Sequence, residues 1–134
     1  MAGNYTSRMI ANNFSKSERL HSKKDIQELF ARGSSFYLFP FKVLVHKQTI
    51  NSVIRHQLLI SVSKRNFKRA VDRNAIKRRI REGYRLQKSL VNNHASLHIG
   101  LIYTARSILP TEEIHKAIAS VIKKLNSGIG GKEL

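Results

Sequence analysis

The chain has 134 residues, enough for one domain that buries roughly two thirds of its unfolded surface, and its 25 Lys and Arg against 8 Asp and Glu leave a net charge of +17. Such an excess favours a polyanionic partner and opposes self-association. With no apolar run longer than Phe36–Phe41, a spanning helix of about 18 apolar residues is excluded, and the absence of Cys removes disulfides, thiolate zinc sites and thiol nucleophiles.

A Cys-free chain suits a reducing compartment, and the cytoplasm is the expected location. Residues 1–13 carry a single Arg and no apolar segment of signal-peptide length, so they are read as a flexible lead-in rather than an export signal. One domain is expected over residues 14–126, followed by a disordered tail, rich in Gly, over 127–134. An anionic membrane is the competing polyanion; the missing Trp and the short apolar runs count against it.

The first helix opens at Ser22 as N-cap, with Asp25 three residues on as its box partner, an apolar stripe of Ile26, Leu29 and Phe30, and Gly33 as the stop. Phe36–Lys47 reads as a strand, with Phe41, Val43 and Val45 on one face and Lys42, Leu44 and His46 on the other. Pro40 lacks an amide hydrogen and fits only the start or edge of that strand. The polar stretch Gln48–Ser52 is expected to turn the chain into a second, antiparallel strand within Val53–Ser63.

A long helix is expected from Val71 to Leu90, interrupted only by Gly83, and a loop at Asn92 and Asn93 ends it. His98–Ala105 reads as a third strand. Thr111 is the expected N-cap of a last helix, with Glu112 and Glu113 in its first turn and Ile114, Ile118, Val121, Ile122 and Leu125 on its buried face. The tail from Asn126 onward has little to bury. The order α-β-β-α-β-α argues for an α+β sandwich, a small sheet with helices packed on it.

Between Lys64 and Lys88 lie eleven basic residues opposed only by Asp72 and Glu82. On a helical wheel Ile76, Ile80, Tyr84 and Leu90 share one arc, while Lys77, Arg81, Arg85 and Lys88 share the next, flanked by Arg73, Asn74 and Arg78. A solvated helix face normally alternates signs at i, i+4; here like charges stack at that spacing, each pair costing a few tenths of a kcal/mol. A bound anion relieves that repulsion, and Arg forks match phosphate oxygens two at a time. Nucleic acid is therefore the expected partner, and charge alone does not decide between DNA and RNA. The rings of Phe30, Phe36, Tyr37, Phe39 and Phe41 could stack on unpaired bases, although an alternating aromatic strand more often packs against helices, so most of them are expected in the core.

The run Val62-Ser63-Lys64-Arg65, followed by Ala70-Val71-Asp72-Arg73-Asn74-Ala75-Ile76-Lys77-Arg78-Arg79-Ile80-Arg81-Glu82, resembles the signature of the bacterial ribonuclease P protein. Upstream, Phe14-Ser15-Lys16-Ser17-Glu18-Arg19-Leu20, Leu29-Phe30 and Gly33 resemble the N-terminal pattern of that family, and Ala105-Arg106 resembles the end of its last strand. The resemblance implies a small mixed sheet with a left-handed βαβ crossover, as in a ribosomal-protein-like fold, against the usual right-handed preference. It also implies two RNA surfaces. Lys64, Arg65, Arg69, Arg73, Asn74, Lys77, Arg78, Arg81 and Arg85 would meet a catalytic RNA. Ile26, Phe30 and Leu44 would line a cleft for the single-stranded 5′ leader of precursor tRNA. Some relatives have aromatic residues where Ile26 and Leu44 stand, so apolar contact is the implied role there. The segment Arg65-Asn66-Phe67-Lys68-Arg69 departs from the shorter, Gly-containing loop of many members.

In such an enzyme Mg2+ held on the RNA runs the hydrolysis, and the protein is expected to be a monomer in a 1:1 complex without a cofactor of its own. The six His, at 21, 46, 56, 94, 98 and 115, show no metal-like pairing, and Glu112 with Glu113 is better explained by helix capping. A ribosomal or other structural RNA-binding protein would share the charge, the size and the missing Cys. A protein-only nuclease would need acidic metal ligands that the sequence does not offer.

Overall fold

The computed structural model describes residues 16–48, 55–91 and 96–127. Helix α1 (Lys23–Arg32) is followed by strands β1 (Ser34–Leu38), β2 (Phe41–Lys47) and β3 (Gln57–Val62). Helix α2 (Ala70–Gln87), strand β4 (Leu97–Tyr103) and helix α3 (Thr111–Ser127) complete the fold, and 3-10 turns occupy Lys16–Glu18 and Lys88–Leu90. The four strands form one sheet in the order β1-β2-β4-β3, with β1/β2 and β2/β4 antiparallel and β3/β4 parallel. This is the expected α+β architecture with a mixed sheet, and α2 is the crossover joining the parallel neighbours β3 and β4.

Two expectations about the strands change. The segment Phe36–Lys47 is a hairpin, because Pro40, with no N–H for a ladder, sits with Phe39 in a turn across a cis peptide bond, and Leu38 faces Phe41. β3 does not pair with β2. The strand between them is β4, whose residues are buried but for Ile102, so both of its edges are saturated by neighbours. The connection through 49–54 and the Asn92–Asn93 loop lie outside the described residues, as do the lead-in 1–13 and the tail beyond Ser127.

One face of the sheet supplies Phe41, Val43, Val45, Leu58, Ile99, Leu101 and Tyr103 to the main core. Ile76, Ile80 and Tyr84 of α2 meet them there, with Ile114, Ile118, Val121, Ile122 and Leu125 of α3. Each such side chain contributes about 1.5–3 kcal/mol of hydrophobic stabilisation. Gly83 lets α2 and α3 approach, since a Cβ there would stand 2.7 Å from Ile118 Cδ1. Leu90 leaves the expected apolar arc and is 61% exposed, because the backbone tightens to a 3-10 turn after Gln87 and alters the angular step; Val91 is buried instead.

α3 starts one residue earlier than expected: Pro110 O accepts from the N–H groups of Glu113 and Ile114, so Thr111 is already helical rather than the cap. At its other end Asn126 and Ser127 still belong to the helix, and Asn126 Nδ2 donates to Leu90 O at 2.8 Å. On the opposite sheet face α1 packs through Leu29 onto Leu44, with Leu20, Ile26, Leu59 and Ile102 around them. Ser22 caps α1 as expected, its hydroxyl accepting from Asp25 N–H at 3.3 Å.

Candidate nucleic-acid interface

The basic signature divides into a loop and a helix face. In the loop, Phe67 is buried and tilts against Tyr103 with ring centroids 6.0 Å apart, which fixes the segment whose sequence departs from the family pattern. Its amide donates to Ser63 O, Arg65 N–H donates to Ser63 Oγ at 3.0 Å, and Lys64 and Arg65 are left exposed. Phe67 was not picked out as an anchor from sequence. The signal was present in a lone aromatic set among four basic residues, Lys64, Arg65, Lys68 and Arg69.

Arg73 closes this loop onto the helix. Its Nη1 donates to Phe67 O at 2.8 Å and to Lys68 O at 2.9 Å, so part of its guanidinium is committed to the protein's own backbone. Arg69 stands at the N-cap position of α2 without a side-chain cap and lies 3.7 Å from Asp72. Arg85 donates to Glu82 through Nε at 3.2 Å, and that hydrogen bond holds the Glu82 carboxyl below the usual range. Lys88 is drawn away altogether: its Nζ lies 2.8 Å from both carboxylate oxygens of Glu18, with the lysine side chain only 11% exposed. Lys88 therefore leaves the ridge that the helical wheel gave it. Arg79 also turns elsewhere, to Leu109 O at 2.6 Å.

What remains along the ridge is Lys64 and Arg65 from the loop, then Asn74, Lys77, Arg78 and Arg81 from α2. Among the described residues none of these side chains has a hydrogen bond or ion pair within the protein. Their charges are satisfied only by solvent or by a partner.

The second surface lies on the sheet face under α1. Leu44 is 6% exposed and forms the floor, Ile26 is half-buried, and Phe30 stands 53% exposed on the helix above. Gly100 leaves room for Leu29 between helix and sheet, because a Cβ there would sit 3.1 Å from Leu29 Cδ2, closer than ordinary van der Waals contact. The five aromatics do not behave as one core stripe. Phe41 is buried and Phe36 packs partly on the core beside Lys124, whereas Phe30, Tyr37 and Phe39 are more than half exposed. The hairpin is the cause, since it turns Phe39 into a loop tip and sends Tyr37 to the face opposite Phe36.

Beneath the start of α1, His98 is buried, and burial lowers its pKa while Asp25 and Glu28 oppose that shift. His56 is lowered in the same way, and its Nδ1 accepts from Leu97 N–H at 3.2 Å. Tyr84, buried against the core, is pushed upward by desolvation. Its pocket of about 330 Å³, shared with Ser17, Glu18, Arg55, His56, Lys88 and Ser89, belongs to neither surface. Among the described residues no group of three or more His, Cys, Asp or Glu could hold a metal ion, and no helix there is long and apolar enough to cross a membrane.

The family model for ribonuclease P matches residues 14–126, the span that carries both surfaces. The chain belongs to the ribonuclease P protein family. It is 42% identical over 79 residues to the ribonuclease P protein component of Porphyromonas gingivalis, an alignment spanning 59% of this chain and 58% of that relative. A longer alignment, 29% identical over 119 residues, covers 87% of the chain and 88% of the ribonuclease P protein component of Chromohalobacter salexigens. Among solved structures, a mutant ribonuclease P protein of Staphylococcus aureus superposes with a TM-score of 0.69 at 27% identity, covering 89% of this chain and 93% of that one. The Thermotoga maritima protein shares the fold, with a TM-score of 0.67 at 24% identity over 80% of this chain and 96% of that one.

Proposed function

We propose that this chain is the protein subunit of ribonuclease P, holding the catalytic RNA along α2 and the 5′ leader of precursor tRNA over the sheet face beneath α1. In that role it assists endonucleolytic removal of the leader to make the mature 5′ end of tRNA. The observation that carries the reading is the ridge of Lys64, Arg65, Asn74, Lys77, Arg78 and Arg81, unpartnered within the described residues, in a chain of this family. Arg forks take phosphate oxygens in pairs, Lys77 supplies a point charge, and Asn74 can donate and accept at a sugar or base edge. Arg69 adds charge beside its contact with Asp72, and Arg85, held by Glu82, adds charge to the same flank. Arg73 acts in part through the loop it holds. The N-terminus of α2, free of a side-chain cap, adds its dipole to the same field.

Phe30 and Ile26 offer apolar surface to leader bases, with Leu44 as floor rather than direct contact. Phosphodiester hydrolysis in this reading belongs to Mg2+ held on the RNA. Among the described residues no cluster of three or more acidic or His side chains stands near the ridge, where Asp72 and Glu82 pair with Arg69 and Arg85. The working species is one protein with one RNA in the cytoplasm.

Reconstitution with a bacterial ribonuclease P RNA at low magnesium tests the reading: added protein should restore 5′ processing of precursor tRNA. RNA recovered with the protein from cells should contain one large ribozyme-like species and precursor tRNAs. Recovery of ribosomal RNA alone, with no rescue of processing, would favour a structural RNA-binding protein.

A further inference from the structure

The open sheet face carries a second row beyond Leu44. The pairings Tyr37↔Lys42, Lys42↔Ile102 and Ser61↔Ile102 set these four residues side by side. Positions two apart along a strand share a face, so the row faces the same way as Leu44 and lies about 7 Å from it along β2. It is also at the end of the sheet where β3 leads into the loop before α2.

Tyr37 is 58% exposed, and Lys42 beside it is exposed as well. The ring is nevertheless held in place. Its hydroxyl lies 3.1 Å from Thr104 Oγ1, just past β4, although Tyr37 starts on the edge strand β1 and β2 intervenes. The ring is therefore laid across β2. Thr104 uses its own hydroxyl hydrogen on Pro40 O at 2.9 Å, so Tyr37 is the donor in the pair. A ring already fixed loses little rotamer freedom on binding, and a flat π face next to a cation suits a base with its phosphate.

We propose that Tyr37 and Lys42 form a second subsite for single-stranded RNA on this face. Tyr37 stacks on one base, Lys42 meets a neighbouring phosphate, and the nucleotide taken is a leader position other than the one over Phe30. The proposal rests on the reading of this face as the leader cleft. Continuity with that cleft and the net charge of +17 favour RNA over an apolar protein partner. The bland alternative is a clasp, in which the Tyr37 hydroxyl only ties the hairpin to the end of β4.

The test uses holoenzyme reconstituted with a bacterial ribonuclease P RNA, and compares binding of precursor tRNA, mature tRNA and precursors with a single abasic nucleotide at successive leader positions. Tyr37→Ala should weaken precursor binding about fivefold or more and leave mature tRNA unaffected. Tyr37→Phe, which loses the clasp and keeps the ring, should stay within roughly twofold of the parent. The Tyr37→Ala loss should vanish at one abasic position, different from the position that abolishes the Phe30→Ala loss. Equal losses for Tyr37→Phe and Tyr37→Ala, or none for Tyr37→Ala, overturn the subsite. If Tyr37→Ala does not fold, Lys42→Gln carries the test, and an unchanged salt dependence of precursor binding overturns it. A silent Tyr37→Ala beside an effective Phe30→Ala defeats the subsite alone, whereas a silent Phe30→Ala defeats the leader reading beneath it.

Discussion

Arg73 and Lys77 lie one turn apart on α2 and share a charge, yet their surroundings assign them different work. Arg73 makes two hydrogen bonds to loop carbonyls, so Arg73→Ala should destabilise the protein by about 1–2 kcal/mol as well as weaken holoenzyme assembly. Lys77→Ala should leave stability within about 0.5 kcal/mol and reduce the slope of log affinity against log salt by about one unit. Thermal melts recorded beside salt titrations separate the two; equal stability losses would contradict the assignment. His98 gives a pH dependence. Its buried ring resists protonation in the folded state, whereas the unfolded chain takes up a proton near the ordinary imidazole value of 6.5. The folded pKa lies lower, so His98 contributes stability in full above that value, and the contribution is lost as pH falls through the folded pKa. Asp25, Glu28 and His46 face the ring and enter the balance. Melting temperature should fall between about pH 7 and pH 5, and His98→Gln should flatten that decline; the same slope in the variant would remove His98 as its source.

At the scale of elements, α1 depends on how closely its end approaches the sheet. Gly33 has φ −70, open to any residue, so left-handed backbone is not its reason. A Cβ there would lie 2.4 Å from Leu29 O and 3.1 Å from Val45 O, backbone atoms that cannot rotate away. Gly33→Ala should cost about 1–3 kcal/mol in denaturant unfolding, and an unchanged midpoint would show that the junction has room. The stop at Gly33 was legible in sequence, but its physical cause was not. The three helices were legible because the Ser22 cap, the apolar period through Ile76, Ile80 and Tyr84, and the Ile114–Leu125 face are local signals. The β1/β2 hairpin was hidden by the unbroken apolar run Phe36–Phe41, which has the look of one strand. The placement of β4 between β2 and β3 depends on pairings far apart in sequence, which periodicity does not carry.

Over the whole molecule the sequence located the charge better than it located the free charge. Eleven basic residues between Lys64 and Lys88 were visible at once. Only folding brings Glu18 to Lys88 and Leu109 to Arg79, and so removes both from the ridge. The leader cleft was legible only through family resemblance, since nothing in a linear pattern brings α1 over Leu44. The account as a whole depends on Lys77, Arg78 and Arg81 facing RNA rather than solvent. The direct measurement is the salt dependence of binding to a bacterial ribonuclease P RNA, for the parent protein and for the triple variant Lys77→Gln, Arg78→Gln, Arg81→Gln. The account expects a folded variant with weaker binding and a log–log slope shallower by about two to three units. A folded variant that binds with the parent's slope and affinity would contradict it.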